Sequence, residues 1–330
     1  MVDCSPDTRP HPSHRRGLIA LLALVPLLLP ACRVREAGRP PEPILRLALD
    51  AHDPLLQLPL YVAIRQRLFA SERLSINVTE FPDARQTSEA LAGGQFQLAS
   101  SGFDQVLESA AKGRSFTAFG VLSRSPMLVL ISKSPLTRAR LHGNRERTAV
   151  VAAGDSTDLF ARYVLPWHTV PEGSMAAAVA ALKKREAGGA VVNAALLRVL
   201  DAQSAPYVVF ADTRTLAGLL NVYGVSTYPA SCLYASASWI NESRDRVQRI
   251  GKALRMALAW IETHKADDLA PLLPEGSRDP ALIDEARPLF SQDRTMPADA
   301  ADAVRRVLKM PQLPADSYTN DFVGIADVRK

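Results

Sequence analysis

The residues of this chain best placed to do chemistry sit in short polar clusters where strand-like runs give way to helix-like ones. They are His52 and Asp53, Asp83 and Ala84, Ser101-Gly102-Phe103-Asp104, Ser123-Arg124-Ser125 and Asp155-Ser156-Thr157. Leu58 opens a further amphipathic run after the loop that carries Asp53. Helix starts present free amides and a positive dipole end, which suit a sulfonate, nitrate or carboxylate. Asp83, Ser101 and Asp155 also have the spacing of plain helix caps, the commoner role at any single site. Asp53, Asp104 and Asp155 oppose an anion, at about 1 kcal/mol each when solvated and more when dry. The charge of the ligand therefore stays open between an anion and a zwitterion, cationic amine or heteroaromatic ring. Phe103 and Tyr61 are the aromatic residues near these clusters, and Arg124 is the best single candidate for a bidentate oxyanion contact. Catalytic signatures are missing: no Gly-x-Ser-x-Gly elbow, phosphate loop or Gly-x-Gly-x-x-Gly fingerprint occurs. His52, His142, His168 and His264 lack paired metal-ligand spacing. Binding without a cofactor, metal or turnover is the expectation.

The elements that must position these residues alternate regularly. Strands are predicted at residues 46–49, 75–81, 96–100, 116–121 and 127–132, with helices over 58–70, 83–94 and from Ser101 onward. Such alternation implies a mostly parallel sheet with covered faces, whose strand ends form the usual ligand crevice. Residues 134–147 lack periodicity and read as a linker. A second α/β unit follows, with a strand at 148–152, a helix from Asp155 toward 165, a helix at 174–186 and strands at 189–193 and 207–211. Residues 231–235 are apolar again, and the chain from Trp239 is helical, with 246–264 its longest helix. At 330 residues the chain exceeds one comfortable core.

The formal charge of +5 arises from 39 Lys and Arg against 34 Asp and Glu, spread without large blocks. The groups at 138–147 and 183–185 are short, so nucleic acid is not an expected partner. Arg15-Arg16 precedes an apolar run over residues 17–29, too short to span a membrane, that ends in Leu29-Pro30-Ala31-Cys32. This N-terminus resembles a bacterial lipoprotein signal, which implies cleavage after residue 31 and lipidation of Cys32. Residues 32–43, rich in proline, then form a tether. Cys4 leaves with the signal, so Cys232 has no disulfide partner and reads as a buried, inert thiol.

Several stretches together resemble the solute-binding proteins of ABC importers of the nitrate, sulfonate and taurine type. Leu58-Pro59-Leu60-Tyr61-Val62-Ala63-Ile64 with Leu74-Ser75-Ile76-Asn77-Val78 resembles their "PLYVAKEKGFF…GLDVEL" opening. Ala90-Leu91-Ala92-Gly93-Gly94-Gln95-Phe96-Gln97-Leu98-Ala99 resembles "ALLSGEVDFA", and Gly154-Asp155-Ser156-Thr157 resembles the "GSST" helix start. Residues 211–215 and 317–322 match one branch of the superfamily, which also includes pyrimidine-precursor-binding proteins. Asn193 stands where relatives often have Asp, and residues 165–171 look abbreviated where relatives carry a turn and strand.

The resemblance implies an α/β fold of two lobes joined by crossover strands, placed at 127–132 and 231–235. Lobe one would be residues 44–132, lobe two 133–230, and residues 231–330 a return strand with C-terminal helices packed on lobe one. Ligand would bind between the lobes, which close on it. The implied role is an exported, lipid-anchored monomer on the periplasmic face of a bacterial membrane. It would deliver a small solute to ABC permease transmembrane subunits served by a cytoplasmic ATPase. The alternatives are a precursor-synthesis enzyme on the same fold, whose Cys- and His-rich motif is missing here, or a sensory lipoprotein.

Overall fold

Residues 43–135, 147–165 and 167–323 are described by a computed structural model. The export segment, Cys32, the tether up to residue 42, His142, residues 138–146 and Pro166 lie outside the described residues.

The strands are β1 (Leu45–Asp50), β2 (Ile76–Phe81), β3 (Leu98–Ser101), β4 (Phe116–Ser123), β5 (Leu128–Ser132), β6 (Arg147–Val150), β7 (His168–Pro171), β8 (Gly189–Asn193), β9 (Val208–Asp212) and β10 (Ser231–Ser236). They build two five-stranded sheets, ordered β2-β1-β3-β10-β4 and β7-β6-β8-β5-β9. β1 runs parallel to β2 and β3, and β10 runs antiparallel to β3 and β4. The second sheet repeats the scheme, with β6 parallel to β7 and β8 and β5 antiparallel to β8 and β9. Each sheet is thus mostly parallel, with one reversed strand that arrives from the other lobe.

The expected boundary at residue 132 is corrected by this topology. β5 belongs to the second sheet, and residues 124–127 make the first crossing. Both faces of β5 are buried, Val129 and Ile131 in the smaller core and Leu128 and Leu130 in the larger one. An apolar run buried on both faces fits either sheet, so its own pattern does not assign it. The return crossing runs from the helix Leu216–Tyr223 through residues 224–230 into β10. The two crossings brace one another: the amide of Tyr228 donates to the carbonyl of Arg124 (2.8 Å), and that of Ala230 to Ser123 (3.0 Å).

Several local signals work as expected. Asp83 accepts from the amide of Gln86 and Asp155 from that of Asp158, each capping its own helix, Ala84–Ala92 and Ser156–Val164. The helix Met175–Lys184 is capped by Ser174, and the long C-terminal helix is Arg244–Thr263. Other signals shift. The run from Leu58 breaks into Leu58–Arg65 and Leu68–Ser71, because Arg67 adopts a left-handed conformation (φ 55°). The abbreviated segment at 165–171 holds β7 after all, paired parallel to β6. That strand is four residues long on a sheet edge, without a buried face, so no alternation marks it. Residues 308–323 are not helical: Ser317 and Thr319 hydrogen-bond across Ala118 of β4.

Candidate functional site

A cleft of about 260 Å3 opens between the two sheets, at the carboxyl ends of β1, β3 and β6. The first lobe lines it with Asp50, His52, Asp53, Gln57, Asp83, Ala84, Arg85, Gly102, Asp104, Gln105 and Glu108. The second lobe contributes Ala152, Ala153, Gly154, Asp155, Ser156, Leu159 and Met175, and the crossings add Pro126, Tyr223, Tyr228 and Ala230. A larger depression of about 550 Å3 lies beside β9, walled by Tyr163, Val209, Phe210 and Asn221. Only one lobe forms it, and its carboxylate, Asp212, is already paired with Arg214 at 2.6 Å. The interlobe cleft is where independent polar groups converge.

Of the residues singled out in the sequence, His52, Asp53, Asp83, Ala84, Gly102, Asp104, Asp155 and Ser156 line this cleft. Asn193 reaches it indirectly. Its Oδ1 caps the helix Ala194–Ala202, and its Nδ2 donates to Asp53 Oδ2 across the lobes at 3.4 Å.

The others are corrected. Leu58 is fully buried in the core, as is Phe103, which meets the ring of Tyr318 edge-on. Ser101 still belongs to β3 and its hydroxyl pairs with Tyr234 OH (2.9 Å), so the following helix, Phe103–Ala111, is capped by Gly102 instead. Ser123 and Ser125 are spent on the crossing: Ser123 Oγ donates to the carbonyl of Ser125, and Ser125 Oγ donates to Thr213 and accepts from the amide of Met127. Arg124 is held through its backbone, its amide donating to Leu289 (2.8 Å), and its side chain does not line the cleft. Thr157 is buried, donating to Asp155 Oδ1 (2.6 Å) and accepting from the amide of Val151 (2.9 Å).

The floor is a buried polar junction. Gln57 Oε1 accepts from the hydroxyls of Ser100 (2.7 Å) and Ser231 (2.8 Å), tying the cleft entrance loop to β3 and β10. Behind it the Cys232 thiol is fully buried, and burial pushes its pKa well up, the state of an unreactive sulfur.

Six carboxylates border the cleft, those of Asp50, Asp53, Asp83, Asp104, Glu108 and Asp155. Facing them are His52 and Arg85, and the Arg85 guanidinium is exposed and already paired with Glu89 at 3.1 Å. Burial raises the pKa of Asp53 and of Asp104, lifts Asp50 to about 6, and lifts Glu108 to about 7. Neighbouring acids add to it, Asp104 acting on both Asp50 and Glu108.

Four of the six serve local structure. Asp83 and Asp155 are caps, Asp50 Oδ1 accepts from the amide of His52 (3.0 Å), and Asp53 Oδ1 from that of Leu55 (3.2 Å). Asp104 and Glu108, one helical turn apart, share instead the side-chain amide of Gln105, at 3.0 and 3.5 Å. Sequence reasoning missed Glu108, although its i,i+4 spacing from Asp104 puts both on one helix face. It also missed the tyrosine pair. Tyr223 and Tyr228 stack with centroids 4.2 Å apart, and Tyr163 stacks on Tyr223 at 5.4 Å.

No protein-family model matches the chain, and no curated protein does. Solved structures do. A protein of Bordetella bronchiseptica RB50 is 26% identical with a TM-score of 0.70, covering 85% of this chain and 96% of its own. The alkanesulfonate-binding protein of Xanthomonas axonopodis pv. citri, bound to MOPS, is 20% identical (TM-score 0.61; 84% and 99% covered). The periplasmic aliphatic sulphonate-binding protein of Escherichia coli is 18% identical (TM-score 0.65; 83% and 96% covered). The chain thus has the two-lobed periplasmic-binding-protein fold, and the likeness its sequence carries to ABC-importer solute-binding proteins of the nitrate and sulfonate type holds in three dimensions.

Proposed function

We propose that this chain is the substrate-binding lipoprotein of an ABC importer. It captures a small solute between its lobes and delivers it to permease transmembrane subunits driven by a cytoplasmic ATPase. The observation that carries the reading is the cleft itself, lined by both lobes and bridged by Asn193 and Asp53. A ligand touching both walls has higher affinity for the closed arrangement and shifts the lobes toward it. Binding without turnover is part of the reading, as are export, a monomeric state and anchoring at the periplasmic face through lipid on Cys32.

A thermal-shift screen with nitrate, alkanesulfonates, taurine, carboxylates, amines and pyrimidine precursors tests it. Ligand at about a hundred times its dissociation constant adds about 2.7 kcal/mol, several degrees for a chain of this size. One chemical class should raise the Tm and compact the chain in small-angle scattering. Silence across the panel from a folded chain overturns the reading. Incorporation of labelled fatty acid, abolished in Cys32→Ala, tests the anchor separately.

A further inference from the structure

We infer that the cleft takes an organic ammonium cation, held by the carboxylates of Asp104 and Glu108 against the stacked rings of Tyr223 and Tyr228. The inference rests on the receptor reading and names the chemical class of its ligand.

Three independent observations carry it. The first is the imbalance of charge: six carboxylates border the cavity, and the one arginine there turns outward to Glu89. Among the described residues, no ion pair reaches Asp104 or Glu108, and Asp104 is more than nine-tenths buried. The second concerns the amides that would hold an anion. At the second lobe's helix start Ala152 N and Asp158 N donate to Asp155, Gly154 N to Asp158 and Val151 N to Thr157, so an anion there would be left with the amides of Ser156 and Thr157, beside the Asp155 carboxylate. On the first lobe, Gln86 N donates to Asp83 and Phe103 N to the carbonyl of Pro229. The third is the tyrosine pair in the wall, whose stacked rings offer an apolar surface to the body of an organic cation.

A metal ion does not match this geometry. Among the described residues, no three His, Cys, Asp or Glu side chains converge on one point. Carboxylates sharing a cavity with a ring pair fit a cation with its own apolar body. At about 260 Å3 the cavity falls below the roughly 300–1,000 Å3 typical of drug-sized ligands, so the molecule is small.

The test is isothermal titration of the folded chain with choline, phenethylamine, putrescine and agmatine, beside propanesulfonate and nitrate. At least one amine should bind, and Asp104→Asn should weaken it at least tenfold. Should Asp104→Asn fail to fold, as judged by circular dichroism, Glu108→Gln at the half-buried partner gives the same readout. Binding of propanesulfonate or nitrate instead, silence of all four amines, or an amine affinity unchanged in both variants overturns the inference. Small-angle scattering on the same samples separates it from the receptor reading. Closure on an anion removes the cation assignment and leaves the receptor, whereas Asp104-dependent amine binding without closure leaves the cation site and removes the receptor.

Discussion

The two walls of the cleft are made of similar elements, strand ends and helix starts, yet they differ in what their polar groups are free to do. On the second lobe the polar side chains of residues 155, 157 and 158 turn back on their own loop, with Asp155, Thr157 and Asp158 all tied to neighbouring amides. On the first lobe, Asp104 and Glu108 share one glutamine side-chain amide, Asp104 also taking backbone amides at 104 and 105, and both are raised in pKa, chiefly by burial. Side chains tied into their own loop give a fixed surface, while desolvated carboxylates store unfavourable electrostatic energy that a ligand can relieve. One wall is shape and the other is charge.

The strongest way to break that contrast is Thr157→Ala. If the second wall is scaffold, removing a hydroxyl that satisfies a buried amide costs about 1–3 kcal/mol and lowers the Tm by several degrees, with affinity nearly unchanged. An unchanged Tm with a large loss of affinity would make Thr157 a ligand group and erase the difference between the walls. Asn193→Ala removes both a helix cap and the bridge to Asp53. The expected loss is about 1 kcal/mol of stability, together with a more open average shape in small-angle scattering.

Glu108→Gln sharpens the charge side of the comparison. The folded chain holds this carboxyl at about 7 against an ordinary 4.5, through burial first and then Asp104, with Lys112, Gln105 and Arg162 acting the other way. A raised acid costs stability where it must ionise, so the cost is absent below pH 4.5, grows between 4.5 and 7, and is complete above. The variant should melt higher than the parent at pH 8, and the gain should vanish by pH 4. An equal gain at both values would trace the effect to packing. The smallest effect is expected from Ser156→Ala, which lines the cleft: stability within about 0.5 kcal/mol of the parent and a modest change in affinity, read by titration of any bound ligand.

The fold was largely legible because its signals are local. Short apolar runs mark most strands, and Asp83 and Asp155 each cap the helix their spacing predicts. The edge strand β7 escaped because it is short and has no buried face to print alternation. The site was legible in part, and the failures share one cause. Ser101 looks like a cap, but its partner is Tyr234, 133 residues away. Ser125 looks like a cleft residue, but Thr213 claims it. Tyr223 and Tyr228 enter the cleft only because the return crossing carries them there. Local spacing reports caps and strands, whereas the partners that decide which polar group faces a ligand lie far along the chain.

The exchange of strands between the lobes also sets an order on how the molecule can be built. All five strands of the second sheet lie in one stretch, residues 128–212, so that lobe holds its full complement before the rest of the chain is made. The first sheet has its gap in the middle: β3 and β4 do not pair, and the strand between them begins only at Ser231. A chain ending before that residue leaves two inner edges of the first sheet unpaired, the kind of surface that recruits other chains. Contacts such as Cys232 with Ser101 close over more than a hundred residues and form late. The first lobe to be synthesised is therefore the last to be finished.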